Sequence, residues 1–338
     1  MIFGRYNEGM MNLANLEKKD IQLTLNGFSG NIVEAYRFED HTIIRKTVKI
    51  KNENQSLNSE FIKLKELDKI SKKCDLFKIP KILSCGYDNN EKFYYELEFV
   101  PAENLDSSLQ KLDSKKISEI SKVIHEIIKK ISSHYPPQTK NKNFEYEFLL
   151  NKFKETSISF ESKKFSLNLT KNLIKQYIDN IKNLDIRSKH LVNTELFCHG
   201  DMALDNILIT RDNVIYLIDP LKNSFENTAL DYSKILQSSM TQWNLIKHNN
   251  FDILINDKKI RVKPNTHISL FHKHFLETLD ERDYGRIILY LASTMARVVK
   301  HAKNEKQLCA LMLITNELLS NYNDGRYDLT GSLSSLCW

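Results

Sequence analysis

A change of hydrophobic period near residue 101 constrains this chain more than any other feature. Before it, residues 21–25, 32–38 and 42–48 are short apolar-alternating or β-branched runs, and 80–83 and 93–100 read the same way, so five strands are expected. One helix interrupts them, because Leu57, Phe61, Leu64, Leu67 and Ile70 recur at three- and four-residue spacing between charged residues. After Pro101-Ala-Glu-Asn104 the spacing becomes helical over 114–133, 144–156, 169–184, 284–300 and 307–321. The pattern predicts an α+β chain with a mainly-β segment, 1–100, and a mainly-α segment, 101–338. The length of 338 residues suits two lobes flanking one cleft.

The helical segment contains one exception. Residues 206–209 and 214–218 are short apolar runs joined by Thr210-Arg-Asp-Asn213, which predicts a β-hairpin. Polar residues flank it: His199-Gly200-Asp201 and Asn206 lead in, and Asp219 leads out. Phosphoryl transfer needs phosphate oxygens neutralised and the acceptor held in line, which Mg²⁺ on a carboxylate and an amide oxygen supplies. Asp219 and Asn206 are those ligand types. Asp201, on a loop five residues before the amide, suits a carboxylate that orients the acceptor hydroxyl and takes its proton.

His-Gly-Asp-x-x-x-x-Asn followed by a hairpin and Ile-Asp resembles the aminoglycoside phosphotransferase and choline kinase superfamily over residues 20–300. The resemblance implies the bilobal protein-kinase-like fold, with a small mainly-β N-terminal lobe, a larger mainly-α C-terminal lobe, and ATP with Mg²⁺ as cofactors. It makes Asp201 the catalytic carboxylate and Asn206 and Asp219 the metal ligands, with His199 and Gly200 shaping the loop. It places Gly27, Ser29 and Gly30 in a turn over the nucleotide phosphates, although the full Gly-x-Gly-x-x-Gly pattern is missing. Lys46 on the third strand would hold the α and β phosphates, with Arg45 on the opposite face. Glu60 on the following helix would pair with Lys46, Glu66 being the second choice. Adenine would meet the backbone of 98–100, at Glu98 and Val100, and Asp231 would brace the catalytic loop. Pro220 follows Asp219 where protein kinases have Phe-Gly, which argues for a fixed site rather than a mobile switch. The sequences Ile-Asp-Pro and Asp-Tyr-Ser-Lys look most like uncharacterised phosphotransferases associated with bacterial capsule and surface-polysaccharide synthesis.

The bulk properties agree. A hydrophobic share of 41% excludes a disordered chain. The 49 Lys and Arg against 43 Asp and Glu are dispersed, so no nucleic-acid partner is expected. Five cysteines, at 74, 85, 198, 309 and 337, lack paired spacing, and no stretch has the length of a membrane span; with an N-terminus unlike a signal peptide, a reduced cytoplasmic protein is expected. His267, His272 and His274 fit no common zinc spacing and read as packed or surface residues. The expected activity is transfer of the ATP γ-phosphate to a hydroxyl of a sugar, amino alcohol or surface-polysaccharide precursor. The alternatives are an inactive nucleotide-binding scaffold, a protein kinase or an AMP transferase on the same fold. Tyr232, Trp243 and Phe225 are candidates to contact the acceptor.

Overall fold

β-Branched residues open the chain as strands, and long amphipathic runs close it as helices. The computed structural model describes residues 21–26, 31–38, 41–141, 143–161, 165–186, 190–263, 265–330 and 333–337. First come β1 (Ile21–Asn26), β2 (Ile32–Phe38), β3 (His41–Thr47), α1 (Asn54–Ser71), β4 (Ile82–Tyr87), β5 (Phe93–Glu98) and β6 (Ala102–Asn104). Next are α2 (Leu105–Leu109), α3 (Ser114–Ser132), β7 (Gln138–Thr139), α4 (Phe144–Glu161), α5 (Asn168–Lys182), β8 (Thr194–Glu195), β9 (Ile207–Thr210) and β10 (Ile215–Leu217). The chain continues with α6 (Thr228–Ser239), α7 (Trp243–Lys247), β11 (Phe251–Leu254) and β12 (Lys259–Val262). It closes with α8 (Thr266–Leu276), α9 (Tyr284–Val299), α10 (Glu305–Asn323) and β13 (Leu336–Cys337).

Two compact units result: Met1–Glu103 with Leu208–Lys222, and Asn104–Ile207 with Asn223–Trp338. The sequence reading left the hairpin in the mainly-α segment; its contacts group it instead with the first unit. Lys78 explains this, since its N–H donates to the Ile215 carbonyl (2.8 Å) and its carbonyl accepts from the Leu217 N–H (3.0 Å).

The first unit is built on an antiparallel sheet in the order β1-β2-β3-β5-β4. In the β3–β5 register Lys46 opposes Tyr95 and Arg45 opposes Glu96, so neighbouring residues serve opposite faces of the sheet. Helix α1 packs on the sheet through Leu57, Phe61, Leu64, Leu67 and Ile70, all buried, and the Phe61 ring stacks on Tyr95 at 5.5 Å. Gly27, Ser29 and Gly30, expected in the phosphate-covering turn, lie outside the described residues.

The second unit is helical around α9, which is buried over almost its whole length. That burial is what a core helix requires, and among the described residues no helix is long and apolar enough to cross a membrane. Helices α4 and α6 pack on α9, and α5 packs on α10.

A buried polar cluster ties this unit together. Glu145 on α4 is fully buried; its Oε1 accepts from Arg286 (Nη2 at 2.8 Å, Nε at 3.0 Å) and from the Tyr290 hydroxyl (2.7 Å). Its Oε2 accepts from the Val192 and Asn193 N–H groups, both at 2.9 Å. The Asn227 side chain donates to Tyr290 and, through Oδ1, accepts from the Ala229 N–H at 2.9 Å, capping α6. A buried ion pair adds little over an apolar replacement, but removing one partner strands the other in a medium that cannot solvate it. Glu145→Gln should therefore lower the unfolding free energy by about 3–5 kcal/mol, read as a lower midpoint in chemical denaturation.

Candidate active site

Asp231 organises the loop of the second unit. Fully buried in the first turns of α6, it accepts from the His199 N–H at 2.8 Å and the Gly200 N–H at 2.7 Å. The two bonds hold Gly200 at φ 85°, a conformation that costs a side-chain-bearing residue but not glycine. His199 is fully buried, and its Nδ1 accepts from the Asp201 N–H at 3.3 Å. The Asn206 amide donates from Nδ2 to the Asp201 carbonyl at 2.9 Å, which commits the nitrogen and leaves Oδ1 as the oxygen available to a cation. His199, Asp201, Asn206 and Asp231 thus form one hydrogen-bonded loop.

Asp201 has a partner that sequence reasoning missed. Lys234, on α6 one turn after Asp231, places its ammonium 2.8 Å from the Asp201 carboxylate; its side chain is 9% exposed against 28% for Asp201. Burial pushes the Asp201 carboxyl up, but the Lys234 and Arg297 charges outweigh it and hold it below the usual range. Asp201 is therefore a stable anion at neutral pH, suited to orienting a hydroxyl. The signal was in the sequence, since Asp231 and Lys234 are spaced to share one helix face.

In the first unit Lys46, 3% exposed, joins three distant segments. Its ammonium lies 2.7 Å from Glu60 on α1 and 3.0 Å from Asp219 beyond β10. Tyr95, its cross-strand neighbour, donates to Glu60 at 2.5 Å. Glu66 instead pairs with Lys69 on its own helix. Arg45 bonds Glu96 from the other side of β3, as strand alternation predicts. Asp219 sits at φ 55° directly before Pro220, a conformation costing about 1–3 kcal/mol unless its surroundings enforce it. The Lys46 ion pair is one such restraint; another lies two residues on, where Lys63 donates to the Leu221 carbonyl at 2.8 Å.

Charge is unbalanced here. Burial disfavours the Lys46 ammonium, yet Asp219 and Glu60 outweigh it and raise its pKa. Burial pushes the Glu60 carboxyl up, and the Lys46 ammonium, opposed by the Asp219 charge, does not bring it back to the usual range. The surplus negative charge and the Asp219 carboxylate, 43% exposed, match a hard divalent cation such as Mg²⁺. Among the described residues no three His, Cys, Asp or Glu cluster as a metal site, so a cation here would draw on few protein ligands, as Mg²⁺ usually does.

Other expectations fare unequally. Glu98 ends β5, with its N–H on the Lys81 carbonyl (2.9 Å) and its Oε1 on the Lys81 N–H (3.0 Å). The Val100 carbonyl accepts from Ala102 at 2.8 Å. Phe225 and Tyr232 are core residues rather than acceptor contacts: Phe225 is fully buried against Phe144 and Phe148, and Tyr232 stacks on His125. Trp243 is half-buried at the start of α7. His272 is buried between Ser239 and the Leu329 carbonyl, and His274 pairs with Glu277, so both are packing or surface residues.

No protein-family model matches the sequence, and no curated protein matches it. Solved structures do. A GDP and kanamycin complex of APH(2″)-IIIa superposes with a TM-score of 0.59 at 13% identity, covering 91% of this chain and 97% of that one. The GDP complex of wild-type aminoglycoside 2′-phosphotransferase-IIIa gives 0.55 at 12%, covering 93% and 96%. A thermostable mutant of aminoglycoside phosphotransferase APH(4)-Ia gives 0.53 at 10%, covering 91% and 89%. At these identities the likeness establishes the fold: an α+β protein-kinase-like fold, as expected.

The Lys46 trio gives a pH prediction. In the native protein the raised Lys46 pKa contributes stability below its ordinary value of about 10.5, lost only as pH rises through the folded value. In Lys46→Met, Glu60 lacks the cation that opposes its burial, so its pKa rises further and stability falls as pH climbs through about 4–6. Thermal unfolding from about pH 4 to pH 8 should show the gap between variant and native protein widening with pH.

Proposed function

We propose that this chain transfers the γ-phosphate of a nucleoside triphosphate, most simply ATP, to a hydroxyl of a small metabolite. The observation that carries the reading is the Lys46 ammonium held between Glu60 and Asp219, three charged residues from β3, α1 and the exit of β10. That constellation does no work in a merely structural sheet, where an apolar trio would pack at least as well. The protein-kinase-like fold and the Asp231-braced loop support the same reading.

In this reading Lys46 holds nucleotide phosphate oxygens, and Glu60 and Tyr95 fix its ammonium. The Glu98 carbonyl and the Val100 N–H meet the adenine edge. The Asn206 amide oxygen and the Asp219 carboxylate are the groups that would hold Mg²⁺, which when bound would neutralise phosphate charge. His199 serves the catalytic loop by setting the backbone of Asp201. Asp201 accepts a hydrogen bond from the acceptor hydroxyl and so aims its oxygen. A bond forms from that oxygen to the γ-phosphorus as the bond to the β–γ bridging oxygen breaks; the nucleoside diphosphate leaves and the hydroxyl proton passes to Asp201. A carboxylate held low by Lys234 takes that proton late, which suits a loose transition state. A surface-polysaccharide precursor remains within the proposed acceptor class.

Asp201→Asn should cut ATP-dependent phosphorylation by about 10²–10⁴-fold, while nucleotide affinity by calorimetry changes little. Unchanged turnover would remove Asp201 from the chemistry. Mass spectrometry of the products separates the rivals, because AMP transfer releases pyrophosphate and protein phosphorylation leaves a heavier polypeptide.

A further inference from the structure

The charges around Asp201 do not cancel. Its carboxylate meets Lys234 directly at 2.8 Å. Two further cations stand nearby in the same unit. The Ser233 hydroxyl lies 3.1 Å from the Thr294 hydroxyl, which sets α6 on α9 one turn before Arg297. The Thr156 hydroxyl donates to the Ala296 carbonyl at 3.0 Å and to the Lys152 carbonyl one turn earlier on α4. Helix α9 therefore carries Arg297 between Lys152 of α4 and Lys234 of α6. The Lys152 ammonium lies 4.1 Å from the Phe148 ring centroid, and among the described residues neither Lys152 nor Arg297 forms an ion pair.

Lys234, Arg297 and a protonated Lys152 outnumber the Asp201 and Glu155 carboxylates, an arrangement that added negative charge would relieve. Burial, with Arg297 and Lys234, draws Lys152 down to about 7, and Glu155 and Cys198 do not offset this. A surface lysine cluster relieves such strain in solvent; Lys234 is buried and Lys152 and Arg297 are half-buried, so less of that relief is open to them.

We propose that the hydroxyl acceptor of this enzyme is itself an anion, a metabolite whose carboxylate or phosphate is received by Arg297 and Lys152 while its hydroxyl rests on Asp201. This rests on the phosphotransferase reading and narrows it. Arg297 offers the planar fork that binds such oxygens in pairs, and Lys152 adds a point charge. An amino-sugar acceptor such as kanamycin would carry cations into a cationic site. The same cluster explains why Lys234 is a lysine: it keeps Asp201 ionised beside an incoming anion that would otherwise raise its pKa.

Two experiments on the full chain separate this inference from the reading beneath it. In the first, protein saturated with Mg·AMP-PNP is titrated with inorganic phosphate and, separately, with glucuronate, comparing native protein with Arg297→Gln and Lys152→Gln. Binding of either probe that weakens about tenfold in both variants supports the anion site, and the stronger probe assigns phosphate or carboxylate. No binding, or equal binding in all three proteins, overturns it. In the second, turnover is compared for glucose, glucuronate, glucose 6-phosphate and kanamycin. An anionic sugar should be preferred by about tenfold or more, with its KM raised in Arg297→Gln and the KM for ATP unchanged. Faster turnover of glucose or kanamycin overturns the inference. Absence of ATP-dependent transfer to any acceptor counts against the phosphotransferase reading, and the titration still decides the anion site.

Discussion

The bond pair from the Asp231 carboxylate to the His199 and Gly200 N–H groups is what the rest of the second unit serves. A loop that bears polar chemistry cannot be fixed by apolar packing, so its backbone donors must find a buried acceptor. Asp231 supplies two oxygens to consecutive N–H groups, each near 2.8 Å. The geometry is useful only if α6 itself cannot shift. Asn227 caps that helix and hydrogen-bonds Tyr290, and Glu145 locks Tyr290 and Arg286 together. The chain of dependence runs from a buried charge pair, through a helix cap, to the orientation of Asp201.

Much of this was legible in the sequence, for reasons that can be stated. Period-two and period-3.6 patterns located β2, β3, α1, α3 and α9, and in α1 and α3 the spacing also records which face is buried. The motif residues His199, Asp201, Asn206, Asp219 and Asp231 were visible because they cluster around one hairpin. Lys46 and Glu60 were found by the order of elements, and the short contact between them follows from strand β3 and helix α1 facing each other.

What escaped is long-range pairing. Nothing in the run of residues around Glu145 announces that its partner lies 141 positions away at Arg286. The hairpin was placed by its neighbours in sequence, whereas its backbone bonds go to Lys78. Phe225 and Tyr232 were only candidates for acceptor contact because aromatic rings serve both roles, and burial distinguishes a core ring from a stacking platform. Lys234 was missed because a lysine in a helical run ordinarily reads as a solvated face. Its 9% side-chain exposure is what marks it.

Electrostatics give the two units opposite characters, and each follows from local bookkeeping of charge. Around Lys46 two carboxylates share one ammonium, so the first unit holds surplus negative charge beside a half-exposed Asp219. Around Asp201 one carboxylate faces Lys234, with Arg297 and Lys152 unneutralised, so the second unit holds surplus positive charge. Neither surplus helps folding, because each sets like charges together in a poorly screened setting. Residues that fold at a cost, in each of the two units, suit ligands that bring the missing charge. In the proposed reading, a divalent cation would answer the first and an anionic acceptor the second. The strained Asp219, at φ 55° before a proline, belongs to the same account: its carboxylate is aimed before any ligand arrives, so less ordering remains to be done on binding.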